Sequence, residues 1–371
     1  MKKDKTQQVE AQQKSTETTR RKFLKTTVAA GIGAAAAAPT LFNIGSARAA
    51  NKTYNWKFVC DWPATDLQMS QAVPRFAKWV EHASNGRLKI TVYSGGQLVP
   101  PSESFDNLRR GTIQLLQSIG PYHAGKIPLA MVAFQLPMGP RGIKDYQKIF
   151  WDYGMFDLVD QTYRKLGIRY LDLTPYGGAN LTSKKPLRTI DDFKGLKMRT
   201  VGPQATMWKE LGAATVFISG SELYLALQTG VVDAYTWSNM SVDNMKFHEV
   251  TKYMIMAYPV PEGNSTGSGN GCFLMNAKAF EELPADLQNI VVRCGQQYGR
   301  YSSMIYNDWD EWFQSGGAAK LGMEIIELSK EDTDQLRQIA IEKVWPKFSK
   351  DEASTQYIET VKQFLKDEKV L

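Results

Sequence analysis

Between residues 54 and 119 the apolar positions switch repeatedly between a period of two and a period near 3.6. Tyr54-Asn55-Trp56-Lys57-Phe58-Val59-Cys60 alternates and predicts a strand. Gln68 to Ala83 puts Met69, Val73, Phe76, Ala77, Val80 and Ala83 at helical spacing, and Asn85-Gly86 stops that helix. Leu88 to Tyr93 alternates again and ends at Ser94-Gly95-Gly96. A helix around Ser102–Gly111 then leads into a third strand, Ile113–Ile119. The order β-α-β-α-β implies a partly parallel sheet covered by helices. Such sheets bind ligands in the loops at the carboxyl ends of their strands.

A second run of the same kind begins near residue 168. Strands are expected at Ile168–Leu173, Lys197–Val201, Thr215–Ile218 and Val231–Tyr235. Helices are expected at Leu187–Leu196, Gln204–Leu211 and Ser221–Thr229, the last stopped by Gly230. Pro284 to Gln314 then reads as one long helix, with Leu287, Ile290, Val291, Cys294, Tyr298, Tyr301, Ile305, Trp309 and Trp312 as its apolar positions. At 1.5 Å per residue it spans about 45 Å and can act as a spine across two domains. Helices at Lys330–Trp345 and Ser354–Phe364 close the chain. The expected fold class is α/β: two domains with a long C-terminal spine helix. Residues 50–175 with 265–304 make up domain I, and 176–264 with 305–371 make up domain II.

Length and composition agree with this: 371 residues exceed one small core, and 43% apolar with 22% charged residues is globular. The net charge of +7 invites a nucleic-acid reading. However, residues 1–49 carry nine basic and three acidic residues, six of the seven excess charges. The nearly neutral remainder has no electrostatic footprint for a phosphate backbone. The basic start leads to Thr19-Arg20-Arg21-Lys22-Phe23-Leu24-Lys25, a weakly apolar Ala/Gly stretch from Thr26 to Ile44 interrupted by Pro39, and Ala47-Arg48-Ala49. That is the pattern of a twin-arginine signal peptide with a cleavage site. The mature chain is expected to begin near Ala50, to reach the periplasm folded and to be soluble.

Enzyme machinery is not evident. His82, His123 and His248 have no metal-binding spacing, and there is no Cys-x-x-Cys, P-loop or Gly-x-Ser-x-Gly. No cofactor and no metal are expected. Cys60, Cys272 and Cys294 read as buried thiols, with a single Cys272–Cys294 bond as the alternative. Gly263–Gly271 is glycine-rich but lacks the lysine of a phosphate loop, so it reads as a flexible connector. Arg199 ends an apolar strand, where a guanidinium needs an anionic partner. That partner is either a ligand carboxylate met by two parallel hydrogen bonds or an Asp or Glu of the protein.

Three further segments carry a resemblance: Asp192-Phe193-Lys194-Gly195-Leu196-Lys197-Met198-Arg199, then Leu211-Gly212, then Glu222-Leu223-Tyr224-Leu225-Ala226-Leu227-Gln228-Thr229-Gly230-Val231-Val232-Asp233. With Gly95-Gly96-Gln97-Leu98 and Leu108-Arg109-Arg110-Gly111 upstream, the chain resembles the substrate-binding subunits of tripartite ATP-independent periplasmic (TRAP) transporters over nearly its whole mature length. The resemblance implies that Arg199 binds a substrate carboxylate and that the partners are a small organic carboxylate and the transporter's membrane subunits. It implies a two-domain, periplasmic-binding-protein-like fold with a cleft, and capture rather than catalysis. The competing classes are a twin-arginine-exported enzyme and a ligand-sensing partner of a receptor.

The chain also departs from the family. Keto-acid binders have Glu-Trp where Thr236-Trp237 stands, and a glutamine cation ligand falls near Gly178, so an assisting cation is not expected. The second arginine of sialic-acid binders is missing near Ala179-Asn180. Gly220, where some relatives carry an aromatic ring, is expected to leave open pocket volume. Trp62, Tyr122, Tyr176, Tyr235 and Trp237 lie at or after strand ends and, with Thr236, complete the expected binding set around Arg199.

Overall fold

Two sheets organise the chain, and strand pairing explains their order. A computed structural model of the protein describes residues 52–258 and 266–371. The expected export signal therefore lies outside the described residues. In the first sheet, β1 (Tyr54–Cys60) pairs in parallel with both β2 (Leu88–Tyr93) and β3 (Leu115–Ser118). The long strand β4 (Ile168–Gly178) forms the far edge, giving the order β2-β1-β3-β10-β4. The inserted strand, β10 (Ser268–Asn276), runs antiparallel to both neighbours and is buried at all nine positions.

β10 corrects the reading of Gly263–Gly271 as a connector; its first three residues are outside the described set. A side chain at Gly269 would meet the Tyr176 hydroxyl at 1.9 Å, and one at Gly271 the Thr174 hydroxyl at 2.5 Å. These glycines allow close packing of a central strand rather than looseness.

The second sheet has the order β11-β9-β5-β8-β6-β7. It contains β5 (Leu181–Ser183), β6 (Lys197–Arg199), β7 (Ala214–Val216), β8 (Ala234–Thr236), β9 (Tyr253–Met256) and β11 (Glu324–Glu327). β6 runs parallel to β7 and β8, so Arg199 and Thr236 both sit at carboxyl ends. The chain from Asn51 onward forms one compact unit.

The long helix is Ala285–Trp312. Its inner face packs on the first sheet: Tyr298 meets Phe273 at 4.7 Å and Phe76 at 5.7 Å between ring centroids. Aromatic pairs of this kind add about 0.5–1.5 kcal/mol each beyond area burial. At its far end Asp310 accepts hydrogen bonds from Gly178 N (3.3 Å) and Asn239 Nδ2 (3.1 Å), tying the helix to the crossover between β4 and β5. Residues 305–371 were expected to join domain II. The last helix, Glu352–Asp367, instead returns to helices flanking the first sheet. Tyr357 packs edge-on against Phe150 at 6.2 Å, Phe364 against Tyr153 at 5.6 Å, and Tyr153 donates to Asp367 at 2.7 Å.

All three cysteines are free, so the alternative Cys272–Cys294 bond does not form; Cys60 and Cys272 are buried and Cys294 is half-buried. Among the described residues no helix is long and apolar enough to cross a membrane.

Candidate functional site

Parallel strands direct their carboxyl ends to one side of a sheet, and four such ends converge on one cavity. From the first sheet come Asp61 and Trp62 after β1, and Ile119 and Tyr122 after β3. From the second come Arg199 at the end of β6, and Thr236, Trp237 and Ser238 at and after the end of β8. Tyr176, Gln135 and Gln204 fill in the walls. The cavity has a volume of about 50 Å³.

Arg199 is 3% exposed. Its Nε donates to Ile218 O at 3.0 Å and its Nη1 to Thr236 O at 2.8 Å. The guanidinium lies 4.3 Å from the Trp237 ring centroid and 5.9 Å from that of Phe217. Two carbonyls and an aromatic face thus fix its plane. Among the described residues no carboxylate comes within ion-pair distance of it. Burial pulls the guanidinium down to about 10, with Tyr122 and Tyr176 opposing that fall. It remains charged at neutral pH.

The aromatic residues divide. Trp62, Tyr122, Tyr176 and Trp237 line the cavity as the sequence led one to expect. Tyr235 does not. Side chains alternate along β8, so Thr236 faces the cavity and the Tyr235 ring turns the other way, against Phe247 at 4.8 Å. The Thr236 hydroxyl donates to Thr200 Oγ1 at 2.8 Å, so it is already engaged. The open volume expected beside Gly220 is filled: a Cβ there would lie 2.8 Å from Cη2 of Trp237, whose indole occupies that space. Gly178 lies outside the cavity, against Asn239.

Sequence reasoning missed Asp61, Gln135, Gln204 and Ser238. The strand-end rule that selected Trp62 and Trp237 applies equally to their neighbours Asp61 and Ser238. Gln204 lies in the first turn of the helix that follows Arg199. Burial pushes the Asp61 carboxyl up to about 7, against the hydroxyls of Ser118 and Ser104, which pull it down.

Two α/β sheets sharing a strand-end cavity, with an immobilised buried cation and aromatic walls, define a solute-binding protein. Residues 58–351 match the family described as bacterial extracellular solute-binding protein, family 7, and the chain belongs to that family. A monocarboxylate 2-oxoacid-binding periplasmic protein of Nostoc is 27% identical over 353 residues, 94% of each chain. A TRAP periplasmic solute-binding protein from Chromohalobacter salexigens, solved with bound (S)-(+)-2-amino-1-propanol, is similar in structure. Its TM-score is 0.77 at 24% identity, over 85% of this chain and 97% of that one. Another, from Pseudoalteromonas atlantica with bound sodium and pyruvate, has a TM-score of 0.70 at 26% identity, over 86% and 96% of the two chains. The resemblance to TRAP substrate-binding subunits is thereby shown, and the chain is a binding protein rather than an enzyme.

Proposed function

We propose that this protein captures a small organic carboxylate in the periplasm and presents it to the membrane subunits of a TRAP transporter. The observation that carries this is Arg199: a buried, rigidly held guanidinium facing a cavity, with no carboxylate partner among the described residues. A buried charge needs a counter-ion, and a ligand carboxylate matches its planar fork. Trp62, Tyr122, Tyr176 and Trp237 bound the rest of the ligand. The names of the Nostoc and Pseudoalteromonas relatives point to the same class of ligand. Export by the twin-arginine route rests on Arg20 and Arg21.

Binding proceeds without a metal in this reading. The Thr236 hydroxyl is bonded to Thr200, and Gly178 is outside the cavity. Hard cations prefer charged and carbonyl oxygens to a neutral hydroxyl. The test is calorimetric titration of the purified protein with small 2-hydroxy, 2-oxo and cyclic monocarboxylates, before and after dialysis against chelator in sodium-free buffer. At least one acid is expected to bind with micromolar or better affinity, unchanged within threefold by the dialysis. Failure of every acid overturns the reading; a tenfold loss restored by sodium or calcium overturns its metal-free part.

A further inference from the structure

Asp61 faces the same cavity from the first sheet. It is 8% exposed, and its backbone N–H is fixed by Gln117 O at 2.9 Å. Its two carboxyl oxygens have different surroundings. Oδ2 accepts from the Ser118 hydroxyl at 2.5 Å, and the Ser104 hydroxyl, 3.0 Å from it, shares its one proton between Oδ2 and Pro101 O at 2.8 Å. Oδ1 is buried and has no hydrogen-bond partner. Ser118 holds the rotamer, so Oδ1 cannot turn to find a donor without breaking that bond. A buried acceptor left unpaired costs about 1–3 kcal/mol, more when charged.

Arg199 does not supply the missing donor, since no ion pair joins the two residues and both its Nε and Nη1 are spent on carbonyls. Tyr122 feels both charges: Asp61 raises its phenol and Arg199 lowers it, after burial has pushed it up to about 12. One cavity therefore holds an anion-binding group on one wall and an unfilled acceptor on another, with Tyr122 in the field of both.

We infer that the ligand is a carboxylate that also bears an N–H or O–H donor, the carboxylate meeting Arg199 and the donor meeting Oδ1 of Asp61. This rests on the proposed function and narrows it. 2-Hydroxy acids, imino acids and lactam acids have the required pair of groups. A 2-oxo acid does not: its keto oxygen sets a lone pair against that of Oδ1, leaving the acceptor unpaired. Sites built for a hydrogen bond reject analogues that lack it far more strongly than apolar pockets reject a missing methylene.

Asp61→Asn gives a signed test. An amide has one carbonyl oxygen, and the Ser118 donor holds it at the Oδ2 position. The NH₂ then replaces Oδ1 and converts the acceptor into a donor. The probes are matched pairs that differ only at carbon 2, (S)-lactate with pyruvate and 2-hydroxyisocaproate with 2-oxoisocaproate, plus pyroglutamate as the lactam. They are titrated by calorimetry into the mature protein and the variant. In the parent, pyroglutamate or the hydroxy member of a pair is expected to bind at least tenfold tighter than its 2-oxo counterpart or than either 2-oxo acid. In Asp61→Asn the hydroxy-to-oxo ratio is expected to fall at least tenfold.

The pH dependence is a second readout. A donor favours ionised Asp61, so affinity in the parent is expected to fall several-fold from pH 7.5 to 5.5. The other titratable groups that feel Asp61 (Tyr122, Cys60 and Cys272) are pushed up by burial and stay neutral across that range, and Arg199 stays charged. Hydroxy and oxo members within threefold of each other in the parent, or a tighter oxo member, overturn the inference and leave the carboxylate reading standing. Affinity that rises as pH falls overturns it too, because Asp61 is then the donor. Failure of every carboxylate to bind overturns both. Should the variant not fold, the parent's ratio and pH profile decide.

Discussion

Replacing Arg199 with methionine separates the cost of the site from its use. Two terms oppose each other in the ligand-free protein. Burial lowers this guanidinium from 12.5 to about 10, a bias against the charged form of about 3 kcal/mol at 1.36 kcal/mol per pKa unit. Methionine removes that penalty and fills a similar volume. Against this, Ile218 O and Thr236 O lose their donors, at about 1–3 kcal/mol each if they stay dry, and the stack on Trp237 is lost, about 1 kcal/mol. The sum runs from about zero to about 4 kcal/mol of destabilisation, a Tm fall of at most about 10 °C for a chain of this size. The ligand experiences only loss. Removing one partner of a buried charge pair costs about 2–5 kcal/mol, roughly 30-fold to several thousandfold in affinity. The expected outcome for Arg199→Met is a Tm fall of at most about 10 °C without ligand, no ligand-induced Tm rise, and a calorimetric affinity at least 30-fold weaker. Affinity within threefold of the parent would falsify the carboxylate assignment. A Tm drop beyond about 10 °C would show instead that Arg199 is chiefly structural.

Two more predictions follow from charge. Asp61, Asp172 and Asp310 are pushed up to about 7 and Asp66 to about 6, in each case chiefly by burial. Their unfolded forms titrate at 3.8, so between pH 4 and 7 the folded chain binds more protons and stability rises as pH falls. Carboxyls held low by partners, such as Asp286 beside Arg87 and Glu368 beside Lys148, oppose this only below about pH 4.5, and His123, lowered by burial from 6.5 to about 3, opposes it below about pH 6.5 as one group against four. Tm by calorimetry is therefore expected to be higher at pH 5.5 than at 7.5; the reverse order refutes the assignment of these groups as buried acids. Separately, Arg20→Lys with Arg21→Lys is expected to leave precursor in the cytoplasm, read by fractionation and blotting, and normal export of the double variant refutes the twin-arginine reading.

How much was legible depends on what each feature needs. Alternation along Tyr54–Cys60 and Leu88–Tyr93, and the long apolar face of 285–312, report burial on one side of one element, which periodicity encodes directly. Arg199 was legible because a cation at the end of an apolar strand is an anomaly in any fold. Facts that depend on a second element were not. Tyr235 and Thr236 are adjacent and both buried, and only the register of β8 against β5 and β6 decides which faces the cavity. Gly220 looked like spare volume because nothing in its own segment shows that the Trp237 indole lies across it. The glycines of β10 looked like loop residues because glycine marks both a free chain and a chain pressed between others; Tyr176 and Thr174, about 90 residues upstream, make the difference. The last helix looked like part of the second domain by proximity in sequence, yet its apolar face, Tyr357 and Phe364 included, is matched by aromatics near residue 150.

Asp61 is the instructive omission. An acid next to a strand end is ordinary, and its one- and two-residue neighbourhood offers no sign of use. Its meaning comes from asymmetry: Ser118 donates to one oxygen and the other is buried without a donor. The cation and the acceptor also lie on different sheets, Arg199 on the second and Asp61 on the first. A solute with a carboxylate alone satisfies one sheet; a solute with both groups is held by both. Each sheet thus contributes one polar condition, and the pair of conditions, rather than the arginine by itself, sets which acids the cavity accepts.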